Sequence, residues 1–128
     1  MRILQVMAGA KFGGAEAFFT RLVVALRRAD VHQRVVIRKD KNRAKILRQG
    51  GIEPVEFRFG GPLDILTHMG LRREIASFSP QIVVTWMNRA STMCPKGNFE
   101  HVARLGGYYD LKYYQNCDHL IGNTQDIV

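Results

Sequence analysis

Short apolar runs alternate with helix-length stretches along this chain, and that alternation constrains the fold more than any other feature. RILQVM (residues 2–7), RVVIRK (34–39) and QIVVTW (81–86) have the length and apolar content of buried strands. PVEFRF (54–59) alternates like a half-exposed strand, and HVARL (101–105) and HLIGN (119–123) read as two more. Between them apolar residues recur at helical spacing. From Ala15 they fall at Phe18, Phe19, Leu22 and Leu26, with Val23 and Ala25 widening the stripe; Glu16, Thr20, Arg21, Arg27 and Arg28 take the other face. Residues 42–49 form a short basic helix closed by Gly50 and Gly51. Leu66, Met69, Ile75 and Phe78 mark the inner stripe of a helix over 63–78, which Pro80 ends. A shorter helical stretch follows Asn88 and Arg89, and a helical turn is expected around 110–114. Strands separated by helices of these lengths give an α/β domain with a Rossmann-like, doubly wound parallel sheet.

In such sheets ligands lie beyond the carboxyl ends of the strands. That rule gathers residues 9–14, Asn88 and Arg89, Gly106 and Gly107, and Asn123 and Thr124 along one rim. The first of these belongs to AGAKFGGAEAFFTRL (8–22), a glycine-bearing loop that runs into a helix. The dinucleotide code GxGxxG fails there, because Lys11 stands where the second glycine must let backbone meet pyrophosphate. A Walker A loop fails as well, because Ala15 and Glu16 replace its lysine and hydroxyl residue. What remains is Gly13 and Gly14 at a helix N-terminus. The pair can make a tight turn, or it can admit an anion to the free N–H groups at the positive helix pole. Glu16 suits the same pole as an acid and can also accept a substrate hydroxyl.

The 128 residues, 46% of them apolar, suffice for one globular domain. No apolar run approaches the ~20 residues of a membrane span, and the opening is no secretory signal. The formal charge is +8, and residues 1–64 hold thirteen basic against six acidic side chains. Most of that excess lies in RKDKNRAKILR (38–48), a run that attracts anionic surfaces. It contains no aromatic for base stacking, so nucleic acid is not an expected partner. An anionic membrane is, with Lys41, Arg43, Lys45 and Arg48 as the facing residues. Cys94 and Cys117 form neither CxxC nor a zinc set and are expected to be thiols; no metal site is expected.

Three stretches carry a family resemblance. MRILQVMAGAKFGGAEAFFTRLVVAL resembles the opening of the family-four retaining glycosyltransferases with the GT-B fold, where a first strand leads to a GG-A-E loop and a helix. FSPQIVVTWMNRA resembles their fourth-strand region, and RLGGYYDLKYYQNCDHLIGNTQDIV the segment leading to a strand and a Ser/Thr-capped helix. The resemblance spans essentially the whole chain. It implies that residues 1–128 are the N-terminal, acceptor-side domain, cut near its end at Val128 and lacking the donor-binding domain. As an isolated piece the chain is then expected to be inactive and to self-associate through exposed apolar surface.

The resemblance further implies transfer of a sugar from a nucleotide-sugar donor to a glycan or lipid-linked acceptor, without a further cofactor. The setting implied is bacterial cell-surface polysaccharide or lipopolysaccharide synthesis, in the cytoplasm or on the inner face of its membrane. Gly13 and Gly14 would then meet the donor diphosphate or the acceptor, with Glu16, Asn88 and Arg89 on the acceptor side. Arg104, Asn123 and Thr124 complete the expected substrate-binding set, and Tyr108 and Tyr109 stand beside it. Many members place a histidine at the end of the strand that here reads HVARLGG, where this chain has Gly106 or Gly107. His101 sits at the other end of that strand as a half-exposed structural residue, and no catalytic residue is assigned. The alternative reading is a stand-alone basic α/β module without catalysis that binds an anionic membrane or, as the weaker option, nucleic acid.

Overall fold

A computed structural model of the chain describes residues 1–8, 14–60, 63–104 and 118–121, with backbone alone for 14, 15, 87, 88 and 119–121. The elements follow as β1 (Arg2–Met7), α1 (Gly14–Arg28), β2 (His32–Arg38), α2 (Lys41–Gln49) and β3 (Val55–Phe57). Then come α3 (Ile65–Phe78), β4 (Ile82–Trp86), α4 (Met87–Met93), β5 (Glu100–Arg104) and β6 (His119–Ile121). All strand pairs are parallel, in the order β3-β2-β1-β4-β5-β6. The chain winds outward from β1 to β3, then crosses back to β4 on the other side of β1. That reversal is the topological switch point of a doubly wound sheet.

Burial on both faces explains why the central strands are nearly continuous apolar runs. Leu4, Val6, Val36 and Val83 pack with Leu71 and Phe78 of α3 and Ala90 and Met93 of α4. Met7, Val35, Ile37 and Trp86 pack with Phe19 and Val23 of α1 and Ala44 and Leu47 of α2. The alternation of Leu4 and Val6 with Met7 follows from the two-residue strand period.

Helix ends are set by capping. Asp40 accepts from the Arg43 N–H at 3.0 Å, so α2 begins one residue before the expected Asn42. At its other end the Gly51 N–H donates to the Arg48 carbonyl (3.0 Å) and the Ile52 N–H to that of Leu47 (2.9 Å). With Gly51 at φ 86°, this is a Schellman closure, and Ile52 and Leu47 share one apolar cluster. α3 begins at Ile65 rather than 63, because Asp64 caps it by accepting from the Thr67 N–H.

Four expectations are corrected. β3 covers only Val55–Phe57, because the chain turns at Phe59, which is fully buried at φ 51°. α3 turns inward Thr67, Gly70, Leu71 and Phe78, leaving Leu66 75% and Met69 53% exposed. Asn88 and Arg89 lie within α4 rather than before it. His101 is buried, not half-exposed. The helical turn expected at 110–114 lies outside the described residues.

Candidate functional site

The switch point opens between the carboxyl ends of β1 and β4, and the side chains there are built around Trp86. This last residue of β4 donates its indole N–H to Oε1 of buried Gln5 in β1, at 3.0 Å. The Phe19 ring meets the indole edge-on at 5.3 Å between centroids, and Phe18 lies at 5.9 Å. Arg104, the last residue of β5, places its guanidinium carbon 4.4 Å above the Phe18 ring and 5.0 Å above Trp86. Burial draws the Arg104 pKa below its ordinary value, and the two ring faces offset part of the lost hydration. The guanidinium nevertheless remains charged at neutral pH. Phe18 belongs to the second turn of α1, so this cation packs against the helix one turn beyond the pole that favours anions.

Glu16 was expected on the polar face of α1, but it is 5% exposed in the helix's first turn. Its backbone carbonyl accepts from the Thr20 hydroxyl at 3.0 Å. Arg89 reaches in a different direction: its Nη1 donates to the Phe59 carbonyl at 2.9 Å. The left-handed Phe59 is also braced through its N–H, which donates to Thr67 Oγ1 at 3.2 Å. The Thr67 hydroxyl in turn donates to Asp64 Oδ2 at 2.6 Å, and the Gly60 N–H donates to the same oxygen at 2.8 Å. These donors favour the ionised carboxylate, and the Asp64 pKa falls to about 2. Arg89 therefore fixes the β3 turn at the rim.

A second buried network lies deeper. Thr85 Oγ1 stands 2.7 Å from His101 Nε2 and 2.9 Å from Ser91 Oγ, tying β4, β5 and α4 together. The His101 N–H donates to Asp118 Oδ2 at 2.7 Å.

The structure thus brings Gly14, Glu16 and Arg104 to one edge. Asn88 joins them by its place in α4, while its side chain lies outside the described residues, as do Gly13, Tyr108, Tyr109, Asn123 and Thr124 entirely. The basic run is corrected in part. Lys41 and Lys45 are exposed, but the Arg43 side chain is only 7% exposed and lies 3.9 Å from Asp40. Arg48 pairs with Glu53 at 2.9 Å and Glu56 at 3.7 Å, which anchors it to the protein's own surface. Cys94 is a buried thiol, and Cys117 lies outside the described residues. Among the described residues no group of His, Cys, Asp or Glu side chains could hold a metal ion.

Sheet order and rim together define a Rossmann-like, doubly wound α/β domain. A Listeria monocytogenes structure described as a UDP-N-acetylglucosamine 2-epimerase shares this fold over 80% of the chain and 29% of its own length, with TM-score 0.54 and 19% identity. No protein-family model matches the chain.

The particular relatives are lipopolysaccharide core biosynthesis glycosyltransferases of Rhizobium meliloti. LpsD is 33% identical over 130 residues, which is 99% of this chain and 38% of LpsD. LpsE is 35% identical over 121 residues, 91% of this chain and 35% of LpsE. The chain is therefore a homologue of these enzymes that spans between a third and two fifths of their length.

Proposed function

We propose that this chain forms the acceptor-side, N-terminal domain of a family-four retaining glycosyltransferase with the GT-B architecture. The enzyme moves a sugar from a nucleotide sugar to a lipopolysaccharide core acceptor at the cytoplasmic face of the membrane. The observation that carries the proposal is the 33% identity with a lipopolysaccharide core glycosyltransferase across 99% of the chain. The rim supplies chemistry of the required kind. A departing nucleoside diphosphate gains charge in the transition state, and donors fixed in advance stabilise that charge most effectively. Arg104, held over the Phe18 and Trp86 rings one turn from the N-terminus of α1, is such a donor. Glu16, buried in the same helix's first turn, is the group that accepts an acceptor-sugar hydroxyl.

A chimera tests this reading, with the chain replacing its matching segment of LpsD and transfer of radiolabelled sugar to lipopolysaccharide core as the readout. Transfer is expected, and Arg104→Ala should lower kcat by roughly 100-fold, as loss of a positioned transition-state donor does. A folded chimera without transfer would overturn the assignment. An Arg104→Ala chimera with undiminished kcat would remove Arg104 from the site.

A further inference from the structure

The first half of α3, with Leu63 two residues before it, exposes an apolar surface that the fold does not use. Leu63 is 94% exposed, Ile65 67%, Leu66 75% and Met69 53%. At 100° per residue, Ile65, Met69, Arg72 and Ala76 form the outward stripe of this helix, with Leu66 and Arg73 on its flank. Arg72, Arg73 and the nearby Arg58 are exposed. The acids of this region are engaged elsewhere: Asp64 holds the Gly60 and Thr67 donors, and Glu74 faces Arg34 at 3.4 Å. Apart from the Asp64 carboxylate, which faces the Gly60 and Thr67 donors, the tip of this surface is therefore apolar, and the exposed charges behind it are cationic. In a β–α unit the helix starts where the strand ends, so this tip lies at the carboxyl edge, the same edge as the candidate site.

We infer that this face of α3 docks on an anionic lipid bilayer, with Leu63, Ile65, Leu66 and Met69 entering the headgroup boundary and Arg72 and Arg73 meeting lipid phosphates. Apolar residues flanked by cations give the combination that interfacial helices use. A second copy of the chain fits poorly. A two-fold contact through this face offers the Arg72–Arg73 pair no acid that is not already engaged, so a second copy lacks the charge complement that lipid phosphates supply. The inference moves the membrane contact from α2, where Arg43 is buried and Arg48 is paired, to α3. The surface itself stands on exposure and charge; that it presents a lipid-linked acceptor to the rim rests on the proposed function.

Co-sedimentation of the chain with mixed phosphatidylglycerol–phosphatidylethanolamine vesicles is the test, with phosphatidylcholine vesicles as the neutral comparison. Binding to the anionic vesicles is expected, and Leu63→Glu/Leu66→Glu should weaken it by roughly tenfold or more. Arg72→Glu/Arg73→Glu should weaken it by a similar factor at low salt, and far more than Lys41→Glu/Lys45→Glu does. All these positions are solvent-facing, and unchanged circular dichroism establishes that the variants fold. Absence of vesicle binding would overturn the inference, as would equal loss from the α2 and α3 charge reversals. So would a dimer in light scattering that Leu66→Glu dissociates while vesicle binding stays unchanged. If the LpsD chimera binds vesicles regardless of the α3 variants, the rest of the longer protein covers this face and the inference fails. No nucleotide sugar enters the assay, so an inactive chimera that still binds through α3 defeats only the proposed function.

Discussion

Gly70 is the point at which α3 rests on the edge of the sheet, and one added methyl group there sets two known effects against each other. A Cβ at this position would meet Phe57 Cε1 and lie 2.5 Å from Phe57 Cζ, well inside van der Waals contact. In a helix interior, alanine is favoured over glycine by about 1 kcal/mol. Forcing a methyl group into occupied space costs about 1–3 kcal/mol. The Phe57 ring is half-buried on an edge strand and can retreat part of the way, which places the cost near the middle of that range, about 2 kcal/mol. Gly70→Ala should therefore destabilise the domain by about 1 kcal/mol, lowering Tm by about 3–4 °C at this size. Removing the obstacle should reverse the sign. In a Phe57→Ala background the same substitution is expected to stabilise by about 1 kcal/mol, a coupling of about 2 kcal/mol across the cycle. Urea titrations followed by fluorescence of Trp86, the chain's one tryptophan, read all four proteins. If Gly70→Ala stabilises equally in both backgrounds, α3 does not rest on Phe57 and the packing argument is wrong.

Two further perturbations address the buried polar groups. Thr85→Val deprives both His101 Nε2 and Ser91 Oγ of a partner in the core and should cost about 1–3 kcal/mol in chemical denaturation. Thr85→Ser, which keeps the hydroxyl, should recover part of that loss; equal costs for the two variants would show that the network contributes nothing. Asp64 has its folded pKa lowered from 3.8 to about 2, so its contribution is complete above the unfolded value and lost as pH falls through that window. Melting between pH 5 and pH 2 should show a steeper acid loss for the wild type than for Asp64→Asn, and parallel curves would remove Asp64 as the anchor of this turn.

The strands β1, β2 and β4 were legible because burial on both faces demands apolar runs whatever the remaining sequence does. The inner face of α3 departs from its apolar pattern for a reason of the same kind. Reading its inner face from Leu66 and Met69 assumes that large apolar residues point inward. The contact with β3 is instead made by Gly70, which carries no side chain and lets Phe57 approach, and by Thr67, whose hydroxyl serves the turn at Phe59 and Gly60. Neither residue carries hydrophobic signal. Phe59 was unreadable in a stronger sense. A bulky residue at positive φ costs roughly 1–2 kcal/mol, and nothing local announces it. The turn is held by Arg89, thirty positions away in sequence.

At the rim the same distinction separates what sequence could and could not supply. The glycine pair and Glu16 mark a helix start, and a helix start has local signals. The Arg104 platform has none, because Phe18, Trp86 and Arg104 come from α1, β4 and β5 and meet only once the parallel order is set. Its components could be noticed one at a time, as an arginine at a strand end and a tryptophan before a turn. What the fold adds is their stacking, and stacking changes the chemistry. A surface arginine sweeps through solvent and must be ordered at the moment of binding. One held over two rings has lost part of that freedom and hydration already, during folding. On the proposed function, an anion arriving at this edge would meet a cation that needs little rearrangement, and preorganisation of this kind is where transition-state stabilisation resides.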